Sequence, residues 1–187
     1  MVLVVAATEG ELRGVPLDSN VSTLVCGVGP VDAGIRVAER LAAEPSVDVV
    51  LHVGIAGCRR SSDVRIRDLV VGSESVYSDT TSHMIETVVR PDASLVQMCT
   101  QVLGVDAQPI ATSAQVGGTS GCAVEAMEGF SVLRAAELMD VPAVEVRCVS
   151  NEIEEPDRAR WDFAGALETL EHALPQLVNA VQQQARV

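Results

Sequence analysis

The sequence predicts an α/β fold in which helices cover a mostly parallel or mixed central sheet, and three observations predict it. Apolar runs of strand length alternate with stretches whose apolar residues recur at helical spacing. Of the 187 residues, 48% are apolar but only 2% aromatic, so the core must be built from Val, Leu, Ile and Ala, which suits buried strands under helices. The length fits one domain, 1–187, and no linker, repeat or low-complexity segment divides it.

Taken in order, Val2–Ala6 and Val21–Val28 are the first apolar runs of strand length. Val31, Ile35, Ala38 and Leu41 then mark one face of a helix. Val47–Val53 is a third strand, apolar apart from Asp48 and His52, and ends in a glycine turn reaching Gly57. Leu69–Tyr77 is a fourth strand, Asp92–Leu103 a helix, and Ile110–Thr112 a short strand before a Gly/Ser/Thr-rich loop. Met127–Met139 is a helix with Val132, Ala135 and Met139 on one face, and Val141–Val149 a buried strand. Leu167, Leu170, Leu174, Leu177 and Val181 define a last helix, which Pro175 is expected to divide.

Composition removes several classes of function. The net charge is −13 and every cation is an arginine or the N-terminus, which speaks against a nucleic-acid surface and leaves no Schiff-base or P-loop lysine. Cys26, Cys58, Cys99, Cys122 and Cys148 are odd in number and widely spaced, as expected of small buried hydrophobes rather than a metal or disulfide framework. His52 is expected to be a satisfied core histidine, and His83 and His172 share no context with it. No apolar run is long enough to span a membrane, and no basic region precedes the first one, so a soluble cytoplasmic protein is expected.

Four segments carry candidate chemistry. The turn Cys26–Gly34 follows a strand and opens a helix, but the dinucleotide fingerprint fails because Asp32 occupies the third glycine position. Ala7–Leu12 places Glu9 and Glu11 at the mouth of the first strand, where ligands of α/β sheets bind. Leu51–Gly57 offers glycines against which a ligand can approach backbone. Val124–Phe130 puts Glu128 at a helix start, and the following helix leads through Val-Pro to a strand carrying Arg147 and ending in Ser150-Asn151.

Met127-Glu128-Gly129, the helix length after it and the Ser150-Asn151 strand end together resemble the purine nucleoside phosphorylase and nucleosidase superfamily. Within it the pattern most resembles the futalosine hydrolases of menaquinone biosynthesis, and Asp157-Arg158 with Trp161 continues the likeness over nearly the whole chain. The resemblance implies a three-layer α/β/α fold with a mixed central sheet, hydrolysis of a purine nucleoside to release hypoxanthine, no cofactor, no metal and a homo-oligomer. It assigns water activation to Glu11, with Glu9 the competitor, and ribose binding to Glu128 and Met127. It sets Gly57, Ala56 and Val116 around the substrate, and Arg147 either near the attacking water or in a structural ion pair. Trp161 is expected to anchor its loop against the body of the protein.

Asn151 bears on the base. Adenosine-type nucleosidases of the superfamily carry aspartate there, whereas a 6-oxopurine presents two acceptors, N7 and O6, to which an amide can donate. The Ser78–Asp92 and Val116–Ala123 segments look short for the family, and no base-stacking aromatic stands out, Phe130 being read as core. A methylthioadenosine/S-adenosylhomocysteine-type nucleosidase, a 6-oxopurine nucleoside phosphorylase and a weakly catalytic nucleoside-binding module remain as alternatives. Asn151 weighs against the first, and the lack of a hydroxyl on Ile55 weighs against the second.

Overall fold

Strict alternation along β1 (Val2–Ala6) shows how the layers form. In a computed structural model describing residues 1–117 and 121–185, Val2, Val4 and Ala6 point into one apolar cluster, and Leu3 and Val5 into a second on the opposite face. The first cluster is covered by α2 (Ala93–Leu103) and α4 (Phe163–Gln184), the second by α1 (Pro30–Ala43) and α3 (Gly129–Leu138). A sheet buried on both faces explains why the strands are apolar throughout. The expected three-layer α/β/α fold is the one observed.

β2 (Val21–Val25), β1, β3 (Val49–Cys58) and β8 (Ala143–Glu152) run parallel to their neighbours, which brings their carboxyl ends to one edge. Beyond β8 the sheet becomes mixed: β4 (Leu69–Tyr77) is antiparallel to β8 and parallel to β6 (Ala107–Thr112). β7 (Val124–Ala126) joins β6 to β3, so strands β3, β8, β4, β6 and β7 close into a ring. β5 (Val88–Val89) pairs at the edge of β4.

Several expected boundaries move. Leu51–Gly57 does not end β3 in a turn; the strand runs on to Cys58, irregular only between Ala56 and Gly57, because β8 pairs with it along its length. β2 stops at Val25, where the Gly27–Gly29 turn begins. β8 extends past Val149, so Ser150 and Asn151 lie inside a strand. β7 and β5 escaped the sequence reading because they are three and two residues long. Of the segment Val116–Ala123, residues 118–120 lie outside those described.

Pro175 does not divide α4, although a mid-helix proline removes a hydrogen bond and crowds the preceding turn. Leu170, Leu174, Leu177 and Val181 are all fully buried on one stripe of this helix, and a break would take part of that stripe out of the core. Gly14 packs against the carbonyl of Glu171, the acceptor that Pro175 leaves without its helical donor.

The start of α2 is set locally. Asp92 accepts from the Ser94 and Leu95 backbone N–H groups at 2.9 and 3.0 Å and from the Ser94 hydroxyl at 2.6 Å. The Ser94 hydroxyl and these amides hold its carboxyl below the ordinary range. Asp92→Ala is expected to cost about 1 kcal/mol of stability near neutral pH, read from urea unfolding. Because the folded value is depressed, this advantage is complete above the unfolded carboxylate range and is lost as pH falls through the folded value. An unchanged urea midpoint in the variant would contradict the cap.

Candidate functional site

The parallel strands deliver their carboxyl ends to a cavity of about 460 Å³, the size of a small-molecule site. Thr8 and Glu11 follow β1, Val28 follows β2, Ile55–Gly57 come from β3, and Ser150 and Asn151 from β8. Met127 and Glu128 enter between β7 and α3. Of the residues singled out in the sequence, Glu11, Glu128, Asn151, Met127, Gly57, Ala56 and Val116 all line this one space.

Glu11 sits in a short 3-10 turn (Glu9–Leu12) and is only 4% exposed. Its Oε2 accepts from the Thr8 N–H and hydroxyl, both at 2.8 Å, and Oε1 accepts from the Ile55 N–H at 3.0 Å. A carboxylate has about four acceptor directions, so these bonds fix the group and leave Oε1 able to accept one more. Glu9, its competitor in sequence, is exposed and outside the cavity lining.

Glu128 precedes the first turn of α3 and is tied from two sides. Gly29 donates its backbone N–H to Oε1 at 3.0 Å, and Arg147 Nη1 lies 3.3 Å from Oε2. The Gly27–Gly29 turn thus does more than pack: it supplies a donor to the cavity carboxylate. Burial pushes the Glu128 carboxyl above its ordinary range, and Arg147 and the Gly29 amide oppose that rise.

Arg147 itself is not in the cavity lining; it is fully buried beneath it. Its Nε donates to Glu145 Oε1 at 2.8 Å, Nη2 to His52 Nε2 at 2.5 Å and Nη1 to the Ile55 carbonyl at 3.4 Å. Of its two expected settings the ion pair is the one observed, because its donors are taken up by buried partners. Guanidinium can only donate, so His52 must accept at Nε2 and give its Nδ1 proton to the Val5 carbonyl, 3.1 Å away. Desolvation, reinforced by the Arg147 charge, holds His52 neutral with a strongly depressed pKa. His52 is the satisfied core histidine expected.

Glu145 completes this cluster and was missed in the sequence. It is fully buried, and its Oε2 has no hydrogen-bond partner. The carboxylate lies against Gly129, where a Cβ would come within 2.5 Å of its carbon. Gly54 opens a second close approach: a Cβ there would overlap Arg147 Nη1 and stand 2.7 Å from Glu11 Oε1. The signal was available as alternation in β8, since Val144, Val146 and Cys148 pack on one face and Glu145 and Arg147 point to the other.

Asn151 is oriented by opposed partners. Its Oδ1 accepts from the Ser150 hydroxyl at 2.8 Å, and its Nδ2 donates to the Glu152 carbonyl at 3.1 Å. The amide cannot turn without setting an oxygen against that carbonyl, so one N–H is left free to donate. Trp161 and Phe163 also line the cavity, with ring centroids 5.4 Å apart. Trp161 does anchor its loop, donating Nε1–H to the Glu155 carbonyl at 3.0 Å, yet it faces the ligand space as well. Phe130 stacks on Tyr77 at 5.3 Å and stays out of the lining.

Other chemistries find little support among the described residues. No group of His, Cys, Asp and Glu could hold a metal ion, and no helix is long and apolar enough to cross a membrane. Burial pushes the Cys26, Cys99 and Cys148 thiols up to about 12, far from nucleophilic thiolate.

Comparison with known proteins places this geometry in context. The model of the phosphorylase superfamily matches residues 7–105. A futalosine hydrolase of Streptomyces coelicolor is 30% identical over 85% of this chain and 79% of its own. One from Acidothermus cellulolyticus is 47% identical over 57 residues, 30% of this chain and 23% of its own. A mutant futalosine hydrolase of Helicobacter pylori superimposes with a TM-score of 0.83 at 19% identity, covering 95% of this chain and 98% of its own. A 5′-methylthioadenosine/S-adenosylhomocysteine nucleosidase of Streptococcus pneumoniae gives 0.81 at 18% identity, over 96% and 99%.

Gly54→Ala tests the buried cluster without touching a charged group. The added methyl must displace Arg147 and Glu11 together, so a loss of at least about tenfold in kcat/KM is expected while circular dichroism stays native. Wild-type kinetics in this variant would show that the close approach has no functional weight.

Proposed function

The chain belongs to the phosphorylase superfamily, and on that premise we propose that it cleaves the N-glycosidic bond of futalosine with water, releasing hypoxanthine on the route to menaquinone. The observation that carries this reading is the meeting of Glu11, Glu128 and the donor-oriented Asn151 in one cavity.

Glu11, held by three donors, accepts a proton from water as its oxygen bonds to the anomeric carbon. The electron pair of the breaking C–N bond leaves with the base. Asn151 donates its free N–H to the base, stabilising the charge that develops there. Glu128 retains acceptor capacity beside its bonds to Gly29 and Arg147 and takes up ribose hydroxyl protons, orienting the sugar. Trp161 and Phe163 provide the flat apolar surfaces that the reading of Phe130 as core left unassigned.

An adenine-releasing nucleosidase is disfavoured by the same bonds. The outward edge of Asn151 donates, whereas a 6-amino group needs an acceptor. A phosphorylase is disfavoured because the Ile55 N–H is already given to Glu11 and its side chain has no hydroxyl to offer phosphate.

The test is chromatographic detection of purine release from futalosine, aminofutalosine, inosine and methylthioadenosine, with and without phosphate. Phosphate-independent hypoxanthine release from futalosine is expected, and Glu11→Gln should lower kcat by about 10²–10⁴-fold with the fold intact. Adenine release, strict phosphate dependence or an unimpaired Glu11→Gln variant would each overturn the proposal.

A further inference from the structure

Three carboxylates line the cavity, and the proposed hydrolysis uses two of them, Glu11 and Glu128. The third, Glu125, is only 7% exposed and has no part in activating water or holding the sugar. Backbone pairing on both sides fixes its place: on β7 it pairs with Gly57 of β3 and with Ala111 of β6. Its neighbours Val124 and Ala126 turn into the apolar cluster that holds Ala56 and Cys58. Glu125 therefore stands on the opposite face, as Gly57 does.

Gly57 also pairs with Asn151 of β8. Glu125, Gly57 and Asn151 thus form one row across three neighbouring strands, and the middle member has no side chain. A Cβ at Gly57 would stand 3.0 Å from Asn151 Nδ2, so the amide lies against the glycine. At the usual strand spacing the two outer backbones are about 10 Å apart. The six-membered edge of a purine, with one hydrogen bond at each end, fits a gap of roughly that width.

The two ends of the row offer opposite chemistry. Asn151 presents a donor, whereas an ionised carboxylate can only accept. A 6-oxopurine carries acceptors at N7 and O6 and a donor at N1–H. A 6-aminopurine carries an acceptor at N1. We propose that Glu125 is a specificity-determining residue that accepts the N1–H of a 6-oxopurine while Asn151 donates to N7 or O6, with Gly57 leaving room for the edge between them. A carboxylate has about four acceptor directions, so one serves the base beside any contact within the protein. With adenine in the same place, the N1 lone pair would face the carboxylate, and a buried clash of acceptors is costly. The inference rests on the hydrolase reading and deepens it, because it assigns the choice of base to two residues on separate strands.

The test is calorimetric binding of hypoxanthine, 1-methylhypoxanthine and adenine. The methyl group removes the N1 donor and leaves N7 and O6, which separates Glu125 from Asn151. The wild-type protein should bind hypoxanthine at least about tenfold more tightly than either other base. Glu125→Gln should lower the hypoxanthine-to-adenine preference about tenfold, because an amide can donate to adenine N1. A purely structural role would weaken all three bases alike. Equal binding of the three to the wild type, binding of none, or an unchanged preference in Glu125→Gln overturns the inference. If the bases follow the expected pattern but futalosine is not cleaved, the role of Glu125 stands and the hydrolase reading falls. If futalosine is cleaved and the preference is unchanged in Glu125→Gln, the hydrolase reading stands and this role falls.

Discussion

The site depends on one buried cation. Arg147 is fully enclosed, and its guanidinium joins Glu145, Glu128, His52 and the Ile55 carbonyl in a single plane of donors. An ion taken from water is tolerated only when its hydrogen bonds are replaced, and removing one partner of such a pair usually costs several kcal/mol. That constraint shapes the surrounding sequence. Gly54 and Gly129 lack side chains because the guanidinium and the Glu145 carboxylate occupy that space. His52 is neutral because its Nε2 must accept.

From this cluster the order passes outward to the cavity. Glu128 is drawn to its place by Arg147 below and by the Gly29 amide beside it. Glu11 is set by Ile55, whose carbonyl faces Arg147 and whose N–H faces Glu11. Asn151 belongs to the same strand as Arg147, two pleats on, and is turned by Ser150 and Glu152. Three elements distant in sequence thus present two fixed carboxylates and an oriented amide to one cavity, which in the proposed hydrolysis would meet water, the sugar hydroxyls and the base with little left to reorganise.

Much of this was legible in the chain and some was not. Long apolar runs and helical periodicity are local, so β1, β4, α1 and α2 could be placed closely, and the Met127-Glu128-Gly129 and Ser150-Asn151 motifs singled out the cavity residues. β7 was invisible because three residues carry no period, and Pro175 misled because its local cost is outweighed by a buried stripe that only the fold reveals. Glu145 hid inside a run read simply as apolar around Arg147, although its alternation held the clue. The aromatic wall escaped notice because Trp161 and Phe163 meet the cavity through a loop folded back onto β8.

If one buried cation sets both cavity carboxylates, their contributions cannot be independent. The most direct measurement is a double-mutant cycle on kcat/KM for futalosine hydrolysis, using Glu11→Gln, Glu128→Gln and the pair. The account predicts a double variant far less impaired than the product of the single losses, with a coupling of about 1–3 kcal/mol. Additive losses would mean that the two groups act separately and that Arg147 does not couple them.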